Sequence, residues 1–333
     1  MVVEGGKTKM RKRMQNLSFR LIAFFSAIIF VAIALYDIYN IRFINVTDKK
    51  TNFRNSVRIM MILPQNQTYW NWFLEKYKDI SEKQGIISDI VFYNTSEEAY
   101  KYLKLATVTK PDAIVMCNIY NSKEIAQMLP IIKSNNIFIV SLFNDMLFRY
   151  EDVFVGIDYY YKGKIAGKII YKVLNEKNSI PKDLRIAIIN PLYTTIGGTL
   201  EVKGLTDFLK SKGIKEISIK NFNFEYPAFP SEEVARQLIL EDKQKFNVIY
   251  IGSETDTLTI AQNIITFNKL DKFIVIGAGT NEKLQKYVKE KIINGIINDK
   301  GDLIAQKLCE AILSWKKFGH ASSHISTNFN VIE

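Results

Sequence analysis

The sequence predicts an α/β fold: two doubly wound parallel-sheet lobes, preceded by one N-terminal transmembrane helix. Three observations carry this. From Val57 onward, short apolar runs rich in β-branched residues alternate with segments whose apolar residues recur three and four apart. The runs number about ten, and two sheets accommodate them more naturally than one. Ahead of them, Leu21 to Tyr36 is a stretch of sixteen residues without a charge.

That stretch comes first along the chain. At about 1.5 Å per residue it covers roughly 24 Å, and Ile38, Tyr39 and Ile41 extend it towards the roughly 30 Å of a hydrocarbon core. Lys7, Lys9, Arg11, Lys12, Arg13 and Arg20 precede it against one acid, Glu4, so the leader is expected in the cytoplasm and the rest of the chain outside. A cleaved signal peptide is the competing reading, because Ala32-Ile33-Ala34 has the small-x-small pattern of a cleavage site. The apolar run continues through Leu35 and Tyr36 past that triplet, which favours an uncleaved anchor. A lipid-modified cysteine is excluded, since the only cysteines are Cys117 and Cys309. The expected organisation is a leader over 1–20, an anchor over 21–41 and a linker over 42–56.

Charge supports topology more than nucleic-acid binding. Of the formal +11, the leader holds +5 and the linker +3, Asp37 takes one back, and +4 remains from Val57 to Glu333. The linker is suited to lie against anionic lipid, and no basic patch remains for DNA or RNA. Cys117 ends an apolar run and Cys309 lies in a helical one far along the chain, so two buried free thiols are expected.

The first strand, Val57 to Leu63, is followed by a helix that stops at Gly85. The step repeats with "DIVFY" and "SEEAYKYLKLA", then "DAIVMCN" and "SKEIAQMLPIIKSNN", then "IFIVSLF", and "VFVGI" closes the first series. A second series opens with a helix over Tyr161 to Asn175, where Gly163 and Gly167 at i and i+4 suit close packing. Its strands are "LRIAIIN", "EISIKNFNF", "NVIYIG", "KFIVIGAG" and "INGIIND", with helices starting near Gly198, Ser231, Glu254, Asn281 and Gly301. Strands alternating with helices of this length imply parallel sheets covered on both faces by right-handed crossovers.

Three stretches resemble the type I periplasmic solute-binding proteins, especially the ribose- and xylose-binding ones. Pro111 to Leu142 resembles their third strand, helix and fourth strand. Val153 to Leu174, "VFVGIDYYYKGKIAGKIIYKVL", is similar to their interlobe crossing, and Phe273 to Leu313 to their return path. The resemblance implies a three-strand hinge, a first lobe of 57–158 plus 299–325, and a second of 159–298 plus 326–333. It also implies a small solute held in the cleft, where open α/β sheets bind ligands in any case, beyond the carboxyl ends of their strands.

The loop "LPQNQTYW" resembles the family's Asn-Asn-Pro-Phe-Phe loop and puts Asn66, Gln67, Tyr69 and Trp70 at the cleft. Aromatic faces cover the C–H side of a sugar while amides pair with its hydroxyls. The alternative is that Tyr69 and Trp70 begin a helix and pack on its sheet. The same resemblance implies ligand contacts from Asn118, Asn144, Tyr193, Glu201, Ser253, Glu254, Asn298 and Asp299, each of which also suits a cap or turn. Three positions depart from the ribose type. Phe143-Asn144 stands for an Asp-Arg pair, Glu201 for an arginine, and Gly279 for an aspartate, so ribose is not carried over as the ligand.

Catalytic chemistry finds no support in the residues. His320 and His324 have metal-sharing spacing but stand in a loop-like stretch without further ligands, so no metal site is assigned. Gly277-Ala278-Gly279 lacks the rest of a dinucleotide fingerprint, and Gly197-Gly198 lacks a following Lys-Ser/Thr. With no nucleophile elbow and no HExxH, the expectation is a non-enzyme without cofactor. The fold also builds repressors, but those carry a DNA-binding head where this chain has an apolar segment.

The expected function is a membrane-anchored extracytoplasmic binder of a small solute, a monosaccharide such as a xylose-like pentose, reporting occupancy to a sensor histidine kinase of a two-component system. The alternatives are the substrate-binding component of a sugar ABC importer, partnered by its permease, and a ligand-free co-receptor or scaffold.

Overall fold

The computed structural model describes residues 56–64, 67–120, 122–145, 150–178, 180–190, 193–222, 231–241 and 245–333, without the side chains of 67–69, 231–232 and 241. The expected leader, anchor and most of the linker lie outside these residues. Among the described residues no helix is long and apolar enough to cross a membrane.

Ser56 to Glu333 forms one compact unit containing two six-stranded sheets. The first lobe opens with β1 (Val57–Pro64), α1 (Gln67–Lys83), β2 (Ile86–Tyr93), α2 (Ser96–Thr109), β3 (Ala113–Met116), α3 (Lys123–Ser134), β4 (Phe138–Leu142) and β5 (Val153–Ile157). The chain then crosses through α4 (Tyr159–Glu176) into β6 (Asp183–Ile189), α5 (Ile196–Ser211), β7 (Glu216–Asn221), α6 (Ser231–Arg236) and β8 (Val248–Ile251). It continues with α7 (Glu254–Thr266), β9 (Ile274–Gly277), α8 (Glu282–Lys289) and β10 (Gly295–Asp299). After the return through α9 (Gly301–Phe318), β11 (His324–Thr327) and β12 (Phe329–Ile332) finish one in each sheet.

The strand orders are β11-β5-β4-β3-β1-β2 and β12-β10-β9-β8-β6-β7, the same winding used twice. Alternate side chains of each central strand enter cores on opposite faces. In β1, Ile59, Met61 and Leu63 meet α1 and α9, while Met60 and Ile62 meet α2 and α3. In β8, Ile249 and Ile251 face α7 and α8, while Val248 and Tyr250 face α4 and α5. Burial on both faces is why these runs are almost wholly apolar.

The structure differs from the expectation in four places. β2 starts at Ile86 rather than Asp89, because β1 is long enough to pair with it from Val57↔Ile86 to Pro64↔Tyr93. The C-terminal strands β11 and β12 were not expected, since His320 to His324 reads as loop, both strands are only four residues long, β11 is mostly polar and β12 is largely exposed. The third crossing consequently falls at Asn328, between β11 and β12, and not after residue 325. The second sheet is also not fully parallel: β12 runs antiparallel to β10. β11 is parallel to β5 and therefore ends on the cleft side, so a one-residue crossing must enter the second sheet from its carboxyl end.

Candidate functional site

A cavity lies where the carboxyl ends of the two sheets meet, with Phe143 just after β4, Asn190 after β6, Gly252 after β8 and Asp299 at the end of β10. Helices supply the rest: Trp70 and Trp72 from the first turns of α1, Tyr159 and Lys162 from α4, and Glu201 from α5.

The first-lobe wall is aromatic. Phe143 sits within 5.5 Å of Trp70, 5.6 Å of Trp72 and 5.3 Å of Phe73, ring centre to ring centre. Trp70 is buried and donates its indole N–H to the Pro64 carbonyl at 2.8 Å, which fixes its ring over the end of β1. Gly301 leaves room for Trp72, since a Cβ there would lie 2.7 Å from the indole ring. Phe143 has a φ of 61°, a left-handed conformation that costs a bulky residue on the order of 1 kcal/mol or more. Its backbone is held there by a 2.9 Å bond from its N–H to the Val155 carbonyl.

The second-lobe wall is charged. Lys162 is buried on α4 and its ammonium lies 2.9 and 3.1 Å from the two Asp299 oxygens and 3.9 Å from Glu201. Glu201 is buried too, accepting from Asn190 Nδ2 at 3.0 Å and from the Tyr250 hydroxyl. Burial alone would push the Lys162 ammonium down, but Asp299 and Glu201 outweigh it and hold it above the ordinary lysine value. Burial holds the Glu201 carboxyl above the usual glutamate value, against the pull of Lys162, Tyr250 and Asn190.

Two helix features place these charges. The Asp158 carboxylate caps α4, accepting from the Tyr161 N–H at 2.9 Å, and Thr195 caps α5 by accepting from the Gly198 N–H at 3.1 Å. α4 and α5 then cross at glycine on both sides. A Cβ on Gly163 would run into the Glu201 carbonyl, and one on Gly204 into the Tyr160 carbonyl. That approach brings Lys162 to Glu201.

Of the candidate residues, Trp70, Glu201 and Asp299 meet at this cavity. Asn66 lies outside the described residues, and Gln67 and Tyr69 are placed only by their backbone in α1. The others have structural partners. Asn144 donates to the Asn118 carbonyl and accepts from the Gly197 N–H at 3.3 Å, which ties the lobes together. Tyr193 packs on the α4–α5 side of the second core. Ser253 caps α7, accepting from the Asp256 N–H at 3.2 Å. Glu254 accepts from the Thr280 N–H at 2.6 Å, while Asn298 makes two 2.5 Å bonds with the backbone of Gly279. A Cβ on Gly279 would lie 2.7 Å from Glu254 Cγ, so Glu254 fills the space beside the glycine that stands for the family's aspartate.

Sequence reasoning missed Lys162, Trp72, Tyr159, Asn190 and Gly252, and read Phe143 only as a departure. For Lys162 a signal existed. Tyr159, Lys162, Gly163, Ala166, Gly167 and Ile170 form one helical stripe, all of it buried, and a lysine there needs a buried partner.

The cavity measures about 10 Å³, room for about one water. Phe143 and Tyr159 separate it from a larger one of about 210 Å³ lined also by Asp145, Phe154, Leu200 and His324. Among the described residues no group of His, Cys, Asp and Glu could hold a metal ion, and Cys117 and Cys309 are buried free thiols.

The periplasmic binding protein domain matches residues 59–315, well over half of the chain. The chain belongs to that family. Among curated proteins no sequence match is found. Three solved structures that share the fold have sequence identities below one fifth. GanP, a glucose-galactose binding protein from Geobacillus stearothermophilus, is 19% identical with a TM-score of 0.69, covering 84% of this chain and 98% of its own. The XylFII–LytSN complex matches at 17% identity and a TM-score of 0.67, with the same coverage. A carbohydrate-transporter solute-binding protein from Agrobacterium radiobacter, in complex with D-arabinose, matches at 18% and 0.69, covering 84% of this chain and 94% of its own.

Proposed function

We propose that this periplasmic-binding-protein family member binds a monosaccharide between its lobes. The observation that carries the reading is the convergence on one cavity of aromatic rings from the first lobe and hydrogen-bonding groups from the second. Rings suit the C–H faces of a sugar, and carboxylates, an ammonium and an amide suit its hydroxyls. A glucose-galactose binding protein and a solute-binding protein in complex with D-arabinose, both of the same fold, support the ligand class. At about 10 Å³ the cavity holds no sugar as it stands, so uptake requires the lobes to part or Phe143 to move.

The apolar run at Leu21 to Tyr36 holds this domain at the outer face of the membrane, where occupancy is reported to a sensor histidine kinase. Support comes from the basic leader ahead of that run and from the fold shared with XylFII, a protein solved in complex with LytSN. Reporting requires that solute bind one lobe arrangement better than another.

The small cavity favours a second reading, a co-receptor whose cleft stays shut around Lys162. A thermal-shift titration against pentoses and hexoses separates the two. A ligand at one hundred times its dissociation constant stabilises the native state by about 2.7 kcal/mol, and a melting shift with one sugar is the expected result. No shift with any sugar leaves the co-receptor.

A further inference from the structure

We infer that the preferred solute carries an ammonium group as well as hydroxyls, as an amino sugar does, and that this ammonium is taken by Glu201. The inference rests on the solute-binding reading above and narrows it.

The described lining presents two carboxylates, Glu201 and Asp299, against one ammonium, Lys162. The two acids are not served equally. Lys162 is committed to Asp299, with both oxygens within 3.1 Å, and stands 3.9 Å from Glu201, beyond hydrogen-bond reach. Glu201 is buried and its hydrogen bonds come from two neutral donors, Asn190 and Tyr250. A carboxylate has about four acceptor sites, so those two donors leave capacity for more. Glu201 thus shares with Asp299 a cation that sits closer to the other acid, an arrangement that a ligand's ammonium would relieve.

The opposite wall suits the same ligand. Trp70, Trp72, Phe143 and Tyr159 surround the cavity with rings, whose faces are electron-rich and attract cations. Carboxylates and ring faces together disfavour an anionic solute such as a sugar acid.

The test is isothermal titration of the full-length chain, in a detergent without a sugar headgroup, at a pH that keeps the amine protonated. The probes are glucosamine and galactosamine, their neutral parents glucose and galactose, N-acetylglucosamine as an uncharged derivative, and glucuronate. The expected result is an amino sugar binding at least tenfold more tightly than its parent and its acetylated form, with no glucuronate binding. Glu201→Gln, nearly the same shape, should bring that ratio close to one while the melting transition stays cooperative. Neutral sugars binding as tightly as their amines, or glucuronate binding, would overturn the inference and leave the solute-binding reading standing. An amine preference that survives in Glu201→Gln would overturn the role of Glu201. If none of the probes binds, the inference fails together with the reading on which it rests.

Discussion

The two lobes wind their strands in the same order, yet they present opposite chemistry to the cleft. The first offers Trp70, Trp72 and Phe143, rings packed against one another at centre distances of 5.5 and 5.6 Å. The second offers Lys162, Glu201 and Asn190, with Asp299 on the crossing strand. The sheets themselves are apolar in both lobes, so the difference arises in the loops and helix starts beyond them. A shared topology fixes where the site lies, and a few residues past the strand ends decide what it recognises.

The largest effect on this comparison should come from removing the cation of the charged lobe. Lys162→Met leaves Glu201 and Asp299 facing each other without an ammonium, and breaking a buried ion pair from one side costs about 3–5 kcal/mol. Urea unfolding of wild type and variant checks this. A loss below about 1 kcal/mol would mean that the cluster is solvated and the lobes are not closed on it.

On the aromatic side, Phe143→Ala should cost about 3 kcal/mol for the lost ring, with no relief of its left-handed backbone because alanine keeps a Cβ. The same substitution should join the small cavity to the larger one it borders, so the on-rate for sugar should increase. Chemical denaturation gives the first quantity and stopped-flow binding the second.

A smaller effect concerns pH. The Glu201 carboxyl holds its proton more tightly folded than unfolded, so stability falls as pH rises from the ordinary glutamate value through the raised one. Glu201→Gln should remove that segment of the pH–stability curve and be at least as stable as wild type at neutral pH. Lys162 follows the same sign of linkage, in the alkaline range. Its raised value contributes stability that is fully present below the ordinary lysine value and is lost only as pH climbs through the folded one. Melting temperatures measured across acid and alkaline ranges separate the two groups.

The alternation of strands and helices was legible in the sequence because buried parallel strands must be apolar on both faces, as the β1 and β8 residues are. β11 and β12 were not legible, being four-residue edge strands with mostly polar or exposed positions. The site was legible by halves. Position at a strand end can be read from sequence, but the direction of a side chain cannot. Asn118, Asn144 and Asn298 stand at or just beyond strand ends and engage backbone partners there. Lys162 was hidden because a lysine on a helix ordinarily reads as solvated, and only its place on a buried stripe says otherwise.

The central claim, that a solute binds between an aromatic wall and a charged one, is tested most directly by tryptophan fluorescence. The chain has three tryptophans, Trp70 and Trp72 at the cleft and Trp315, stacked on Phe138 at the far end of β4. In a Trp315→Phe variant the emission reports the cleft alone. Titration with the sugar and amino-sugar panel should give a saturable change in that emission, and a Trp70→Phe/Trp72→Phe variant that keeps Trp315 should show none. Emission that stays constant with every solute, while melting temperature responds to one of them, would place binding elsewhere and contradict the claim.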